Sequence, residues 1–506
     1  MSSSSPPVYD AIVIGAGFGG LGAALGLAER GARVCLLEAL RYPGGCASTF
    51  TKVVRDAEGH AQTCRFDAGA TVVSGLAPHQ LFGRWLTQHA PEVEIEQIDP
   101  LVTLRAPSLE LVVRRDRDAL VAQLAAASPD KAARVRAFFE HQRRIADLLW
   151  EIIDDPDCLP PLDLASVLRH AARAARYVPL LGLIGRPLAS VLARHELTDH
   201  EALRVYLDAL CQITVQCPAA EAEAPFALGA MDYYHRGTGH VQGGFGRLAD
   251  ALVSGCRKLG VDVRFSTRAH RILEDGDGYQ VLSGREREPL RARAVVANLV
   301  PDALAKVSEG SLRLPSVVET LGREVRSAWG AVMLYAVARP HQSASDEAAH
   351  LELVDDTSAP FMEGNHVFVS ISSAHEPERA PAGRRVITMS THVRLEDLDG
   401  EPAPRVEAIQ ARMRSTLAAR APEWAQTLEH ILPASPRTFE RFTGRARGAV
   451  GGIPRRAGLA AYARLGPVRV SRRLYLVGDS VFPGQSALAT ATGGVRVAEA
   501  VRRDLS

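Results

Sequence analysis

The chain has 506 residues, 46% hydrophobic and 23% charged, with a formal net charge of +1. That length implies several or intertwined domains, and the near-neutral charge gives no electrostatic footing for nucleic acid as a partner. The seven cysteines (Cys35, Cys46, Cys64, Cys158, Cys211, Cys217 and Cys256) are scattered and form no C-x-x-C pair. This argues against a disulfide framework and a structural zinc site, and no metal-ligand cluster stands out; the expected metal set is none.

Met1 to Pro7 is a polar tail without a basic segment, so no signal peptide is expected. No uninterrupted apolar run reaches the about 18 residues of a spanning helix. A reducing, cytoplasmic compartment follows as the expectation. Lys52, Lys131, Lys258 and Lys306 are the only lysines, which limits any mechanism needing a Schiff base.

Ala11 to Ile14 reads as a buried parallel strand. It runs into Gly15-Ala16-Gly17-Phe18-Gly19-Gly20, a helix over Leu21 to Arg30, the helix-ending Gly31, and a second strand, Arg33 to Leu37, closed by Glu38. This is the dinucleotide fingerprint in its full context. Gly15 allows the tight turn, Gly17 the approach of backbone to pyrophosphate, and Gly20 close helix–strand packing. The helix N-terminus offers unpaired N–H groups to phosphate, and Glu38, followed by Ala39, is placed to accept hydrogen bonds from ribose. Phe18 and Gly19 belong to the same loop. Pro43-Gly44-Gly45 suits a second close approach of backbone to a bulky cofactor. Phe66-Asp67-Ala68-Gly69 follows an expected hairpin and reads equally as a strand end and turn.

Further along, Leu164 to Tyr177 places Leu164, Leu168, Ala171 and Ala175 on one helical stripe and Arg169, Arg173 and Arg176 on the other. The apolar run Val178 to Ile184 follows. Two readings stand: a membrane-surface patch with arginines toward headgroups, or a helix packed on the core with solvated arginines. Tyr233, Tyr234, His235 and His240 lead into a glycine-rich stretch, Gly237 to Gly246. They are weak acid–base candidates, the structural explanation being the stronger for each.

Arg247 to Gly255 reads as a helix, and Val261 to Phe265 and Ala294 to Ala297 as strands. Trp329 to Val337, Leu351 to Val354, His366 to Ser372 and Val386 to His392 read as strands of a separate mixed sheet, with a helix over Gln410 to Ala419. Leu474 to Val477 is a buried strand closed by Gly478-Asp479. Phe482-Pro483-Gly484 and a small-residue helix, Ala487 to Val501, follow. Asp479 suits either a carboxylate aimed at a flavin's ribityl hydroxyls or an N-cap.

Taken together, the Gly15/Gly17/Gly20–Glu38 fingerprint, Pro43-Gly44-Gly45, Phe66 to Gly69, His240-Val241-Gln242-Gly243-Gly244 and Leu474 to Asp479 resemble the phytoene desaturase, carotenoid isomerase and retinol saturase group of FAD enzymes. The resemblance runs along the whole chain and is strongest at its ends. It implies an α/β fold: a discontinuous Rossmann-like FAD-binding domain (8–78, 237–300, 466–506) with an inserted α+β substrate domain. The insert would comprise a helical, membrane-facing part (79–236) and a mixed sheet (301–465). It also implies that Asp479 contacts the ribityl or pyrophosphate portion and that Val263 lines the adenine through backbone atoms. Many bacterial phytoene desaturases carry Arg after the paired glycines; Cys46 stands there instead, closer to the isomerase and saturase side.

The resemblance implies an apolar polyene substrate, a peripheral membrane surface as partner, and hydride transfer from an allylic carbon to flavin N5. Desaturation would need an acceptor such as a quinone or oxygen. A redox-neutral isomerase working with reduced flavin, a saturase or amine-oxidase relative, and a flavin-binding scaffold remain as alternatives.

Overall fold

The computed structural model describes residues 8–55, 59–155, 158–284, 289–340, 345–399 and 402–506; the Met1–Pro7 tail lies outside the described residues. Two eight-stranded sheets organise the described chain. The first begins with β1 (Val8–Ile14), whose last four residues are buried, then α1 (Phe18–Ala28), buried along its whole length, and β2 (Val34–Leu37). The hairpin β3 (Thr49–Arg55) and β4 (Ala61–Asp67) branches off as its own two-stranded sheet.

The first sheet resumes after the insert with β5 (Asp262–Arg264), β6 (Ala269–Asp275), β7 (Gly278–Ser283) and β8 (Leu290–Ala297), and closes with β9 (Leu474–Leu476). Val13 of β1 is flanked in parallel by Leu36 of β2 and Val296 of β8. Leu36 pairs onward with Val263, and Val296 with Tyr475. Parallel strands buried on both faces need continuous apolar runs, which residues 11–14, Val34–Leu37 and residues 294–297 have; β5, Asp-Val-Arg, is a half-buried edge. Helix α1 packs against the long C-terminal helix, designated α4 (Ala487–Leu505) below. Gly22 and Gly494 permit that contact: a Cβ on Gly22 would lie 2.3 Å from the Ala491 carbonyl oxygen, and one on Gly494 would lie 2.1 Å from that of Gly19. The expected split Rossmann-like domain is therefore present, assembled from three stretches of chain.

The second sheet runs in the order 428–434, 329–338, 385–394, 366–371, 349–354, 102–106, 109–113, with the short Ala449–Val450 strand pairing beside Trp329 and Gly330 as the eighth. The four expected strands between Trp329 and His392 all form, and Trp329–Ala338 is buried throughout. Two strands from the first insert, Val102–Ala106 and Leu109–Val113, complete the sheet, joined by a parallel pairing of Leu353 with Arg105. The 79–236 and 301–465 stretches thus share one sheet rather than forming separate layers. The helix expected near Gln410 spans Pro402–Arg420.

Leu164 to Tyr177 is not one helix. It breaks at Arg173 into α2 (Leu164–Ala172) and α3 (Ala174–Leu181), the second taking up most of the Val178 to Ile184 run. Its orientation corrects both sequence readings. Arg169 reaches Asp155 at 3.3 Å, Arg173 lies 3.7 Å from Glu151, and Arg176 also pairs with Glu151. The arginines therefore engage the acidic end of the preceding helix, Ala132–Asp154, and Asp155 beyond it. The apolar stripe faces outward: Leu164 is 76% and Leu181 74% exposed, with Val167, Leu168 and Val178 also exposed. Among the described residues no helix is long and apolar enough to cross a membrane.

Candidate functional site

The glycine turn sits at the carboxyl ends of β1, β2 and β8, where doubly wound sheets bind ligands. The tightest glycine of this turn is Gly20, where a Cβ would stand 1.9 Å from the Gly15 carbonyl oxygen. Only hydrogen fits between helix and turn. A Cβ on Gly17 would meet the Asn298 amide nitrogen at 2.8 Å. Asn298, directly after β8, also donates to the Gly15 carbonyl oxygen at 3.3 Å and so braces the turn. Phe18 is buried edge-on against Phe82 and Phe245.

Glu38 is almost fully buried and accepts from the Ala16 and Leu40 amides, each at 2.8 Å. Burial raises its pKa, opposed by those backbone donors. The carboxylate therefore fixes the turn. Pro43-Gly44-Gly45 folds back on the turn: the Gly44 amide donates to the Ala16 carbonyl at 2.9 Å, with Gly44 at φ 102°, where a side chain would be strained.

One cavity of about 1360 Å³ opens from this turn. It exceeds the roughly 300–1,000 Å³ of an ordinary small-molecule pocket. Gly15, Gly17, Phe18, Gly19, Glu38, Ala39, Gly44, Gly45, Gly478 and Asp479 all line it. Gly20 and Val263 do not; Gly20 acts through packing, and Val263 lies within β5, paired with Leu36.

Asp479 is held by Arg445 at 2.7 Å, both side chains largely buried on the cavity wall. Gly452 must be glycine here, because a Cβ would lie 2.1 Å from the Asp479 carbonyl oxygen. Arg268, whose charge acts on Glu38, and Lys306 also line the cavity and give its wall positive charge. Asn298, Arg445, Gly452 and Arg268 escaped the sequence reading. Asn298 at a strand's carboxyl end was the one with a positional signal; Gly451-Gly452 gave a compositional one.

The motif residues outside the cavity are structural. Asp67 is fully buried. It pairs with Arg379 at 2.9 Å and accepts from the Thr49 hydroxyl and the Phe245 amide, each at 2.7 Å, tying the β3–β4 hairpin to the glycine-rich stretch. His240 does not reach the cavity; its Nε2 lies 3.0 Å from Glu376, which also accepts from the Gly243 amide. His235 is likewise absent from the lining, and burial lowers its pKa to about 4. Tyr233 and Tyr234 do line the cavity. Tyr234 donates to Glu352 at 2.8 Å, and burial together with that carboxylate keeps its phenol protonated.

The rest of the lining is mostly apolar: Trp150, Ile213, Phe226, Met333, Phe368 and Phe482 among others. Leu162, His170 and Tyr177 extend it to the α2–α3 segment, and Leu162 is at once a lining residue and exposed. Phe442 is a second exposed apolar lining residue; the exposed stretch at Leu162 is the one that adjoins the outward apolar stripe.

A nucleotide cradle at one end and an apolar chamber at the other define a dinucleotide-dependent oxidoreductase. Residues 18–502 match the family of flavin containing amine oxidoreductases, and the chain belongs to it. Its cofactor is FAD. The residues fit that group: the glycine turn and Glu38 suit the adenosine half, Asp479 the ribityl, and the buried side-chain oxygens of Gln216 and Gln485, both on the lining, lack protein partners.

The chain is 26% identical to prolycopene isomerase of Arabidopsis thaliana over 98% of this chain and 83% of the relative. It is also 26% identical to all-trans-zeta-carotene desaturase of Myxococcus xanthus, over 96% and 92% respectively. Its fold resembles cyclohexylamine oxidase of Brevibacterium oxydans at TM-score 0.61, 17% identity, covering 99% and 100% of the two chains.

Proposed function

We propose that this flavoenzyme desaturates a carotenoid or similar apolar polyene drawn from a membrane surface. The observation that carries the reading is the apolar chamber continuous with the cofactor cradle and opening at Leu162. A conjugated chain stabilises charge at the reacting carbon, so few polar groups are needed, and the chamber offers few. Tyr234 is engaged with Glu352, and burial lowers the pKa of His392 to about 3, keeping it neutral.

Bound FAD supplies a two-electron acceptor. The protein's share is positioning and exclusion of water: Phe226, Phe368, Met333 and Phe482 shape a dry slot that aligns an allylic carbon. Net desaturation removes two hydrogens from adjacent carbons, together a hydride and a proton, both passing to bound FAD; its reoxidation would need an acceptor such as a quinone or oxygen.

The outward Leu164, Val167, Leu168, Val178 and Leu181 support docking on a lipid bilayer. A long polyene is insoluble in water, and the chamber opens beside this face. The contact is apolar, with the arginines beneath it bracing α2 and α3. A cytoplasmic enzyme at the membrane surface fits this arrangement.

A second reading, redox-neutral isomerisation with reduced flavin, is favoured by Cys46 on the cavity wall and by the long match to prolycopene isomerase. Expression in a host that accumulates phytoene or prolycopene, with pigment chromatography, separates the two. Desaturation lengthens the chromophore; isomerisation alters geometry at constant composition. If FAD-loaded protein changes no pigment, the polyene reading fails.

A further inference from the structure

The cavity wall carries a cation with no carboxylate in direct contact among the described residues. The Arg455 guanidinium donates to the Pro483 carbonyl at 3.1 Å and lies over the rings of Phe226 at 5.3 Å and Phe482 at 6.0 Å. Among the described residues no carboxylate pairs with it. The nearby acids make their direct contacts elsewhere: Glu223 accepts from Tyr462 at 2.6 Å, and Glu324, whose charge also reaches Arg455, pairs with Arg464.

Other buried arginines are satisfied. Arg379 has Asp67, Arg445 has Asp479, and Arg496 donates to the carbonyls of Pro160 and Leu465. Arg455 is also held in place. Its amide donates to the Val215 carbonyl, its carbonyl accepts from the Glu223 amide, and Gly484 packs against its guanidinium. Burial and the charge of Arg464 lower its pKa to about 10, so it remains cationic at neutral pH. A fixed, desolvated cation facing an otherwise apolar chamber is costly until a ligand completes it.

We propose that Arg455 anchors a terminal carboxylate on the polyene, so that the preferred substrate is an acid-ended polyene rather than a pure hydrocarbon. This rests on the polyene reading of the cavity. The guanidinium offers a planar fork suited to a carboxylate, and Phe226 and Phe482 offer faces to the adjoining conjugated chain. Anchoring one end sets which carbon stands at the flavin.

The test titrates FAD-loaded enzyme with retinoic acid, retinol and the corresponding deoxy hydrocarbon, following the flavin absorbance. The acid should bind about 10-fold or more tighter than the hydrocarbon, the value of a charge-assisted hydrogen bond. Arg455→Met should abolish that preference and leave hydrocarbon binding unchanged; Arg455→Lys should retain part of it and guards against misfolding of the first variant. Equal binding of all three ligands overturns the inference while leaving the polyene reading intact. So does an Arg455→Met enzyme whose flavin spectrum or midpoint potential shifts without ligand, since the cation would then serve the cofactor. If none of the three perturbs the flavin, the polyene reading falls and takes the anchor with it.

Discussion

Arg445 and Asp479 are 34 residues apart in the chain and 2.7 Å apart on the cavity wall. Each is largely buried, so removing one partner strands the other's charge. Arg445→Met should cost about 3 kcal/mol or more. Asp479→Ala should cost a similar amount and also lower FAD occupancy. The double variant should be less destabilised than the sum of the two. Denaturant titration of all four proteins checks this, and strictly additive losses would mean that the pair is uncoupled.

Gly20 and Gly17 should fail differently. At Gly20 an added Cβ meets backbone, 1.9 Å from the Gly15 carbonyl oxygen; at Gly17 it meets the end of a movable side chain, Asn298. Gly20→Ala should destabilise the fold by about 3 kcal/mol, the upper range for overpacking. Gly17→Val should keep a folded protein that has lost FAD, and Glu38→Ala should weaken FAD less. Melting temperature and released flavin, measured on the same samples, distinguish these outcomes.

Docking through α2 and α3 should be apolar. Leu164→Glu, Leu168→Glu and Leu181→Glu together should abolish flotation with liposomes, each exposed leucine contributing about 1.5–3 kcal/mol if fully buried. Binding should persist at high salt, because little of it is ionic. Replacing Arg169, Arg173 and Arg176 by Glu should lower the melting temperature instead, by setting like charges against Glu151 and Asp155. If the leucine variant floats as the parent does, the chamber meets its lipid elsewhere.

His350 is buried and His392 half-buried on the cavity wall, and desolvation lowers the pKa of each to about 3, against an ordinary 6.5. Between those values the unfolded chain binds protons that the folded one refuses. Stability therefore rises with pH through this window and is lost progressively as pH falls below 6.5. Each imidazole contributes a slope of up to about 1.4 kcal/mol per pH unit. Neither ring nitrogen of His350 has a partner, so His350→Phe should flatten the slope by up to one proton without harm at neutral pH. Denaturation midpoints at a series of pH values read this directly; an unchanged slope would place the proton uptake on other groups.

The nucleotide half of the site was legible because its logic is local. Gly15, Gly20 and Glu38 act within one strand–turn–helix–strand unit, and Gly478-Asp479 repeats the strand-end grammar. Arg445 and Asn298 were not legible, because their roles come from partners 34 and 283 residues away. The α2–α3 segment shows a different limit. Periodicity revealed an apolar stripe opposite an arginine stripe but not which faced inward. Glu151 and Asp155 decide that, by offering the arginines buried-side partners at the end of the preceding helix. His240 read as a candidate from its place beside the glycines, yet Glu376, far along the chain, draws its imidazole to the other side of that segment.

The pairing of Val296 with Tyr475 has a consequence for how the protein is made. On the ribosome, β1, β2 and β8 emerge long before β9 and α4, so the nascent sheet carries an unpaired parallel edge at Ala297. Helix α1, apolar on every side, has no partner for Gly19 and Gly22 until Ala491 and Gly494 arrive. Such an intermediate exposes both a strand edge and a sticky helix, the features that recruit chaperones or drive aggregation. Asp479 also arrives only with that last stretch. In a pulse-labelled translation extract, added flavin should speed the maturation of chains that include residues 474–505 and leave chains cut before Leu474 unbound.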